Sequence, residues 1–273
     1  MYPGFEFDRS VVWITGASSG IGAEAARQFA GKGARLVLSA RSEEGLQAVC
    51  AGLPGGAERH LVLPLDIGGS DDFSSVVDAV ITRYGRLDLL FNNAGITQRS
   101  LCMDTPMAVY RRLMDVNVLG QIALTKAVLP VMQAQGGGHI AATASVAGKV
   151  GAPLRTGYCA TKHALMGFFD ALRTEVDRHS IRVTTVVPGF IRTDIAQRVA
   201  TADGEPFDGD NSQIESGMPV DDCVRVIVEG FERGLPEIPV GAGPEMGLIA
   251  LRHTDPQALF QTTLAMAAGE QSA

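Results

Sequence analysis

The chain reads as an α/β protein, a doubly wound sheet of seven parallel strands with helices on both faces. Three observations carry that reading. Short apolar runs alternate with helix-period segments along the sequence, a glycine-rich turn follows the first apolar run, and no linker-like stretch divides the 273 residues. Short runs without polar alternation mark strands buried on both faces, the usual state of a parallel sheet between two helix layers.

Taken in order, the expected strands are Val11–Thr15, Arg35–Ser39, His60–Leu65, Leu87–Asn92, His139–Ala144, Arg182–Val187 and Ile238–Val240. Each is short and largely apolar. The segments between them, Ile21–Gly31, Glu43–Ala51, Asp71–Tyr84, Met107–Gln135, Tyr158–His179 and Val220–Arg233, read as helices. Strand–helix alternation of this length implies right-handed crossovers. One domain over 1–273 is expected. Thr201–Met218, polar and rich in Gly and Asp, reads as a long loop, within a substrate loop at about 194–219, and a tail runs over about 241–273.

Composition narrows the function classes. A hydrophobic share of 46% and 32 glycines suit a tightly turned domain with a sizeable core. The net charge of −7 argues against a nucleic-acid surface. Cys50, Cys102, Cys159 and Cys223 are scattered with no C-x-x-C, which supports neither a zinc site nor a disulfide framework and points to a reducing compartment. No metal is expected. The N-terminus has no basic region followed by an apolar run, and no uncharged apolar stretch is long enough to span a bilayer. A cytoplasmic location is the expectation.

Thr15-Gly16-x-x-x-Gly20-x-Gly22 follows an apolar strand and opens a helix. Small residues there let the backbone approach a pyrophosphate, and a helix N-terminus supplies unpaired N–H groups and a positive dipole end. This makes the sheet a Rossmann fold with a dinucleotide site, with Gly16, Ser18, Ser19, Gly20 and Ile21 around the phosphates. At the end of the second strand, where an acid would hold a ribose 2′-hydroxyl, stand Ala40 and Arg41. No carboxylate repels a 2′-phosphate, a guanidinium can pair with it, and Ser39 or Ser42 could add a hydroxyl donor. NADP(H) is therefore expected in preference to NAD(H).

Tyr158 and Lys162 lie four residues apart, one helical turn, on one side of their helix. Ser145 precedes the tyrosine by thirteen residues, and Asn92-Asn93-Ala94-Gly95 ends the fourth strand. With the glycine motif, these residues resemble the short-chain dehydrogenase/reductase family, and the likeness runs from about Val11 to Val240. A ketone reduction needs a proton donor beside the hydride of the cofactor. A phenol has a pKa near 10 unless an ammonium or an oxidised nicotinamide lowers it. Tyr158 is then acid in reduction and base in oxidation, and Ser145 donates to the developing alkoxide. Only the serine-to-tyrosine spacing selects Ser145 over Thr143. The resemblance implies further roles. Lys162 would hold the nicotinamide ribose, and Asn117 a water that continues a proton relay. Asp66 and Ile67 would contact the adenine, with Asn93, Ala94 and Gly95 beside the cofactor. Pro188, Gly189, Ile191 and Thr193 would reach the nicotinamide. Ser19 stands where some NADP-dependent relatives carry a second basic residue. His139 and His163 have no G-x-S-x-G elbow with them and read as structural.

The substrate pocket is expected among Ser145, Val146, Leu154, Tyr158 and Phe190, mostly apolar and suited to a lipophilic carbonyl compound or secondary alcohol. Arg155 could pair with an acidic substrate or bond a loop carbonyl. Stretches such as Lys162-His163-Ala164-Leu165 and Phe168-Phe169-Asp170-Ala171-Leu172-Arg173 resemble the branch of dehydrogenase/reductase member 7-type proteins, which implies steroid, retinoid or similar carbonyl substrates. The C-terminal apolar segment is broken at Arg252–Pro256; packing on a partner, covering the pocket and touching a membrane surface all stay open. An NAD-dependent alcohol dehydrogenase and a non-catalytic dinucleotide sensor or scaffold are the alternative functions. The helices Met107–Gln135 and Tyr158–His179 carry apolar residues on more than one face, which predicts a homodimer or homotetramer.

Overall fold

The apolar runs do pair as parallel strands. The computed structural model describes residues 3–70, 72–193 and 212–271. The first half runs β1 (Val11–Thr15), α1 (Gly20–Gly31), β2 (Arg35–Ser39), α2 (Glu43–Ala51), α3 (Gly56–Arg59), β3 (Leu61–Val62), α4 (Ser74–Tyr84) and β4 (Leu89–Asn92). Next come α5 (Met107–Met114), a π-helical turn at Asp115–Leu119, α6 (Gly120–Ala134), β5 (Gly138–Thr143), a 3₁₀ turn at Val146–Gly148 and α7 (Thr156–Val176). The chain closes with β6 (Ile181–Pro188), β7 (Ile191–Arg192), α8 (Ser212–Glu215), β8 (Met218–Pro219), α9 (Val220–Glu232), β9 (Glu237–Val240), α10 (Glu245–Thr254) and α11 (Pro256–Gln271).

Seven strands form one sheet in the order β3-β2-β1-β4-β5-β6-β9, every pairing parallel. Val12 pairs with Leu36 on one side and Leu89 on the other. Strand order reverses between β1 and β4, so the loops leaving their carboxyl ends diverge and open a crevice. β7 and β8 form a separate two-stranded ribbon.

The period of two along β1 divides the core. Val12 and Ile14 face one layer with Phe29, Leu36, Leu38 and Phe231. Val11 and Trp13 face the other with Val37, Leu90, Leu124 and Phe169. A helix layer therefore covers each face of the sheet. Trp13, fully buried, donates its indole N–H to Ser39 Oγ at 2.9 Å, and Ser39 donates in turn to Leu63 O at 2.7 Å. Among the described residues no helix is long and apolar enough to cross a membrane.

Several expected boundaries move. The third strand, expected over His60–Leu65, is regular only at Leu61–Val62, because it is an edge strand and Pro64 lacks an N–H; Leu63 and Leu65 still donate to β2-side carbonyls at 2.9 and 3.0 Å. The helices expected over Asp71–Tyr84 and Tyr158–His179 become Ser74–Tyr84 and Thr156–Val176, the latter ending in a 3₁₀ turn. The single helix expected over Met107–Gln135 is interrupted by the π turn at Asn117. The tail is two helices, broken at Asp255, whose carboxylate accepts from Ala258 N at 2.9 Å, with Pro256 at the first position of α11. Most of the expected loop, 201–211, lies outside the described residues.

Candidate functional site

A cavity of about 730 Å³ follows the carboxyl ends of the central strands. At one end, β1 runs into Gly16, whose positive φ of 69° suits glycine, and a Cβ there would come 2.9 Å from Ala94 Cα. The turn therefore packs backbone against backbone. Thr15 Oγ1 accepts from the N–H groups of both Asn93 and Ala94 at 3.0 Å. Asn93 donates to Thr15 O and accepts from the Thr143 hydroxyl, each at 3.1 Å, so its side chain ties the ends of three strands together. α1 starts with no side-chain cap and no acid in its first turn, which leaves its positive end toward the cavity.

Gly16, Ser18, Ser19, Gly20, Ile21, Arg41, Asp66, Ile67, Asn93, Ala94 and Gly95 all line this cavity. Arg41 is exposed, and its guanidinium has no hydrogen-bond or ion-pair partner among the described residues. Ser39 corrects one expectation: buried and hydrogen-bonded on both sides, it has no hydroxyl to offer a phosphate. Ser42 Oγ accepts from Gly45 N at 3.1 Å as the cap of α2, and its hydroxyl proton is still available. Asp66 accepts from Gly68 N at 3.1 Å and pairs with Arg112 at 3.4 Å.

At the other end of the cavity, α7 presents Tyr158 and Lys162 on one face. Lys162 is almost fully buried and donates to Thr143 O at 2.7 Å, its nitrogen 5.5 Å from the Tyr158 ring centre. Burial draws its ammonium down to about 8. Burial also raises the Tyr158 phenol above its usual value; a hydrogen bond with the Ser145 side chain and the positive charge of Arg155 oppose that rise. Ser145 Oγ accepts from Ala147 N at 3.1 Å and reaches Pro188 O at 3.4 Å. Thr143, the other hydroxyl considered, is turned toward Asn93.

Asn117 is fully buried within the π turn. Its Oδ1 accepts from Ile96 N at 2.8 Å, and its Nδ2 donates to Ile96 O at 2.8 Å and Thr161 Oγ1 at 3.1 Å. The side chain thus fastens the segment after β4. A Cβ on Gly95 would lie 3.4 Å from Asn117 Oδ1 and 3.7 Å from Lys162 Nζ, so the two groups flank one small space that the glycine leaves open.

Pro188, Gly189, Ile191 and Thr193 line the cavity beside Val146 and Phe190. Leu154, expected in the pocket, is not among the lining residues. It takes a left-handed backbone conformation, φ 57°, and its carbonyl accepts from Ser100 N at 3.0 Å. Arg155 lines the cavity and donates to the Thr97 hydroxyl at 3.1 Å. His139 contacts the Thr184 hydroxyl and is held neutral by burial, at about 3; His163 contacts Cys159 O at 2.9 Å. Sequence reasoning missed Glu245, Leu248, Thr263 and Met266, which also line the cavity. The tail thus covers part of the pocket.

A crevice at the sheet's switch point, with a tyrosine, lysine and serine meeting at its inner end, defines a class of protein. The short chain dehydrogenase profile matches residues 10–204, and the chain belongs to the short-chain dehydrogenase/reductase family. Among its relatives, human dehydrogenase/reductase SDR family member 7 is 40% identical over 247 residues, 89% of this chain and 73% of that one. The chain thus stands in the member 7 branch of the family. Of solved structures, a short chain dehydrogenase/reductase from Burkholderia phymatum in complex with NAD superposes with a TM-score of 0.82, at 26% identity over 93% of this chain and 96% of that one. One from Burkholderia cenocepacia in complex with NADP has a TM-score of 0.77, at 25% identity over 95% and 99%.

Proposed function

We propose that the protein is an NADP(H)-dependent oxidoreductase that interconverts a ketone or aldehyde and an alcohol, acting on a lipophilic carbonyl compound. The observation that carries this is the meeting of the Tyr158 phenol, the Ser145 hydroxyl and the Lys162 ammonium at one apolar-walled end of the cavity.

The donor set at the other end fits a dinucleotide. The uncapped start of α1 and the close-packed Gly16 turn suit the pyrophosphate, flanked by Ser18, Ser19, Gly20 and Ile21. Asp66 and Ile67 would flank the adenine; Pro188, Gly189, Ile191 and Thr193 would meet the nicotinamide. Both NAD and NADP occur in complexes of structural neighbours. Ala40, and Arg41 with no partner among the described residues, favour the 2′-phosphate.

When bound, the dinucleotide supplies the hydride in reduction and accepts it in oxidation. Tyr158 gives its proton to the carbonyl oxygen, a role suited to a phenol that burial keeps protonated. Ser145 donates a hydrogen bond to the same oxygen as negative charge builds there. Lys162 holds positive charge beside the phenolate that remains and orients the ribose. A water in the space between Asn117 and Lys162 would pass a proton onward. Val146, Val150, Phe190, Leu248 and Met266 exclude water and favour an apolar substrate body.

The test is a panel of ketones and alcohols screened with NADPH, NADH, NADP and NAD, following absorbance of the reduced nicotinamide. Turnover of bulky ketones with NADPH supports the reading. A preference for NAD and alcohols indicates the alternative dehydrogenase, and cofactor binding without turnover indicates a sensor. A homodimer or homotetramer is also proposed, from the exposed Met107 and Leu119 and the partly buried apolar faces of α6 and α7. A monomer in light scattering at micromolar concentration would contradict it.

A further inference from the structure

Glu245 is the first residue of α10, yet only about a tenth of its surface is exposed. An acid in a first helical turn is ordinarily a solvated partner of the helix dipole. This one is turned inward. Its Oε1 accepts from Phe190 N at 3.1 Å, a contact spanning 55 residues. Its carboxyl group sits in a socket made by glycines of two separate segments. A Cβ on Gly189 would collide with Oε1, and a Cβ on Gly243 with Oε2. Gly189 is itself pinned to Val240 O at 2.8 Å. The socket therefore joins the turn after β6 to the start of the C-terminal helix pair, at the cavity wall where both Gly189 and Glu245 stand.

The pair also packs apolar side chains against this wall. Leu248 and Leu259 join Val146, Val150, Met166 and Val187 in one buried cluster, with Met266 against it. Leu248, Thr263 and Met266 line the same cavity as Tyr158. We propose that Glu245 is a positioning residue that latches the C-terminal helix pair onto the Gly189–Phe190 turn, making that pair the substrate-selecting wall of the cavity. This rests on the oxidoreductase reading above.

The latch and the wall make separable demands. Glu245→Ala removes the acceptor, whereas Glu245→Gln keeps an amide oxygen for Phe190 N–H. Met266→Trp leaves the latch intact and narrows the wall. For parent and variants, kcat/KM is compared for a small cyclic ketone and a polycyclic one, and NADPH affinity is measured by calorimetry. Glu245→Ala should lower the polycyclic-to-small ratio by about tenfold, chiefly through KM, and weaken NADPH by about threefold or more. Glu245→Gln should restore both. Met266→Trp should lower the ratio with NADPH affinity kept. Equal losses for both ketones, failure of Glu245→Gln to restore, or an unchanged ratio in Met266→Trp would overturn the proposal. If Glu245→Ala does not fold, the Met266→Trp ratio decides. If the parent turns over neither ketone, the oxidoreductase reading fails; calorimetry with the two Glu245 variants then still decides the latch.

Discussion

The two ends of the cavity are built on different principles. The nucleotide end takes most of its lining from one continuous stretch, Thr15 to Ser42, and holds its shape with backbone contacts and small hydroxyls. The reaction end gathers Ser145, Tyr158, Lys162, Phe190, Glu245 and Met266 from segments far apart in the chain. Arg41 at the first end is exposed, so its charge is screened by water and acts chiefly on a ligand that comes to it. Tyr158 and Lys162 at the second are desolvated, and burial shifts both in the direction that disfavours charge. Loss of a group at the first end should change which cofactor binds; loss at the second should change whether reaction occurs.

The strongest way to break that comparison is Tyr158→Phe, which removes one hydroxyl. Turnover should drop by roughly 100-fold or more while cofactor affinity largely persists. Ser145→Ala should cost on the order of 100-fold. Near-normal rates in Tyr158→Phe would remove the chemical meaning of the reaction end.

Next in size is a pH effect on stability at the same end. Lys162 is held at about 8 in the fold against a usual 10.5. Between those values the unfolded chain binds the extra proton, so this residue's contribution to stability rises as pH rises and is lost as pH falls through about 8. The span of about 2.5 pH units corresponds to on the order of 3 kcal/mol. Denaturant unfolding of parent and Lys162→Met, at pH 7 and pH 10, should show the parent gaining relative to the variant. A difference that does not change with pH would mean the ammonium is not desolvated.

Arg41→Ala sharpens the comparison from the other side. Loss of a charge-assisted hydrogen bond contributes about 1.5–3 kcal/mol, so the NADPH-to-NADH ratio of kcat/KM should fall roughly ten- to a hundred-fold. An unchanged ratio would remove the second strand from cofactor choice. The smallest expected effect is at Ser42, where alanine should cost about 1 kcal/mol through the lost α2 cap. A parallel fall in the NADPH-to-NADH ratio would show that its hydroxyl also reaches the phosphate.

The same division explains what was legible in the sequence. The strands and the glycine turn follow from local rules of period, apolarity and backbone approach, and all seven strands occur near their expected places. The motif residues sit at strand ends and on one helix face, where spacing alone defines neighbours. Other features depend on contacts that spacing does not encode. The π turn adds no change of hydrophobicity to mark it at Asn117. Position places Leu154 in the pocket, but its left-handed backbone conformation leaves no trace in the residue type. Glu245 lies in the tail, outside every motif that the spacing marks. The signal that could have found it is the run Gly241-Ala242-Gly243-Pro244, small residues just ahead of an acid and an apolar helix.

Trp13 is the only tryptophan in the chain, and it sits without solvent beneath the second strand, joined to Ser39 one residue before Ala40. Indole fluorescence therefore comes from a single fixed position beside the nucleotide end. A reduced nicotinamide absorbs in the range where a buried indole emits, so binding of the proposed cofactor should be read as quenching and energy transfer without any added dye. For the proposed cofactor this is a built-in optical gauge of occupancy, and it would remain usable in variants whose chemistry has been switched off.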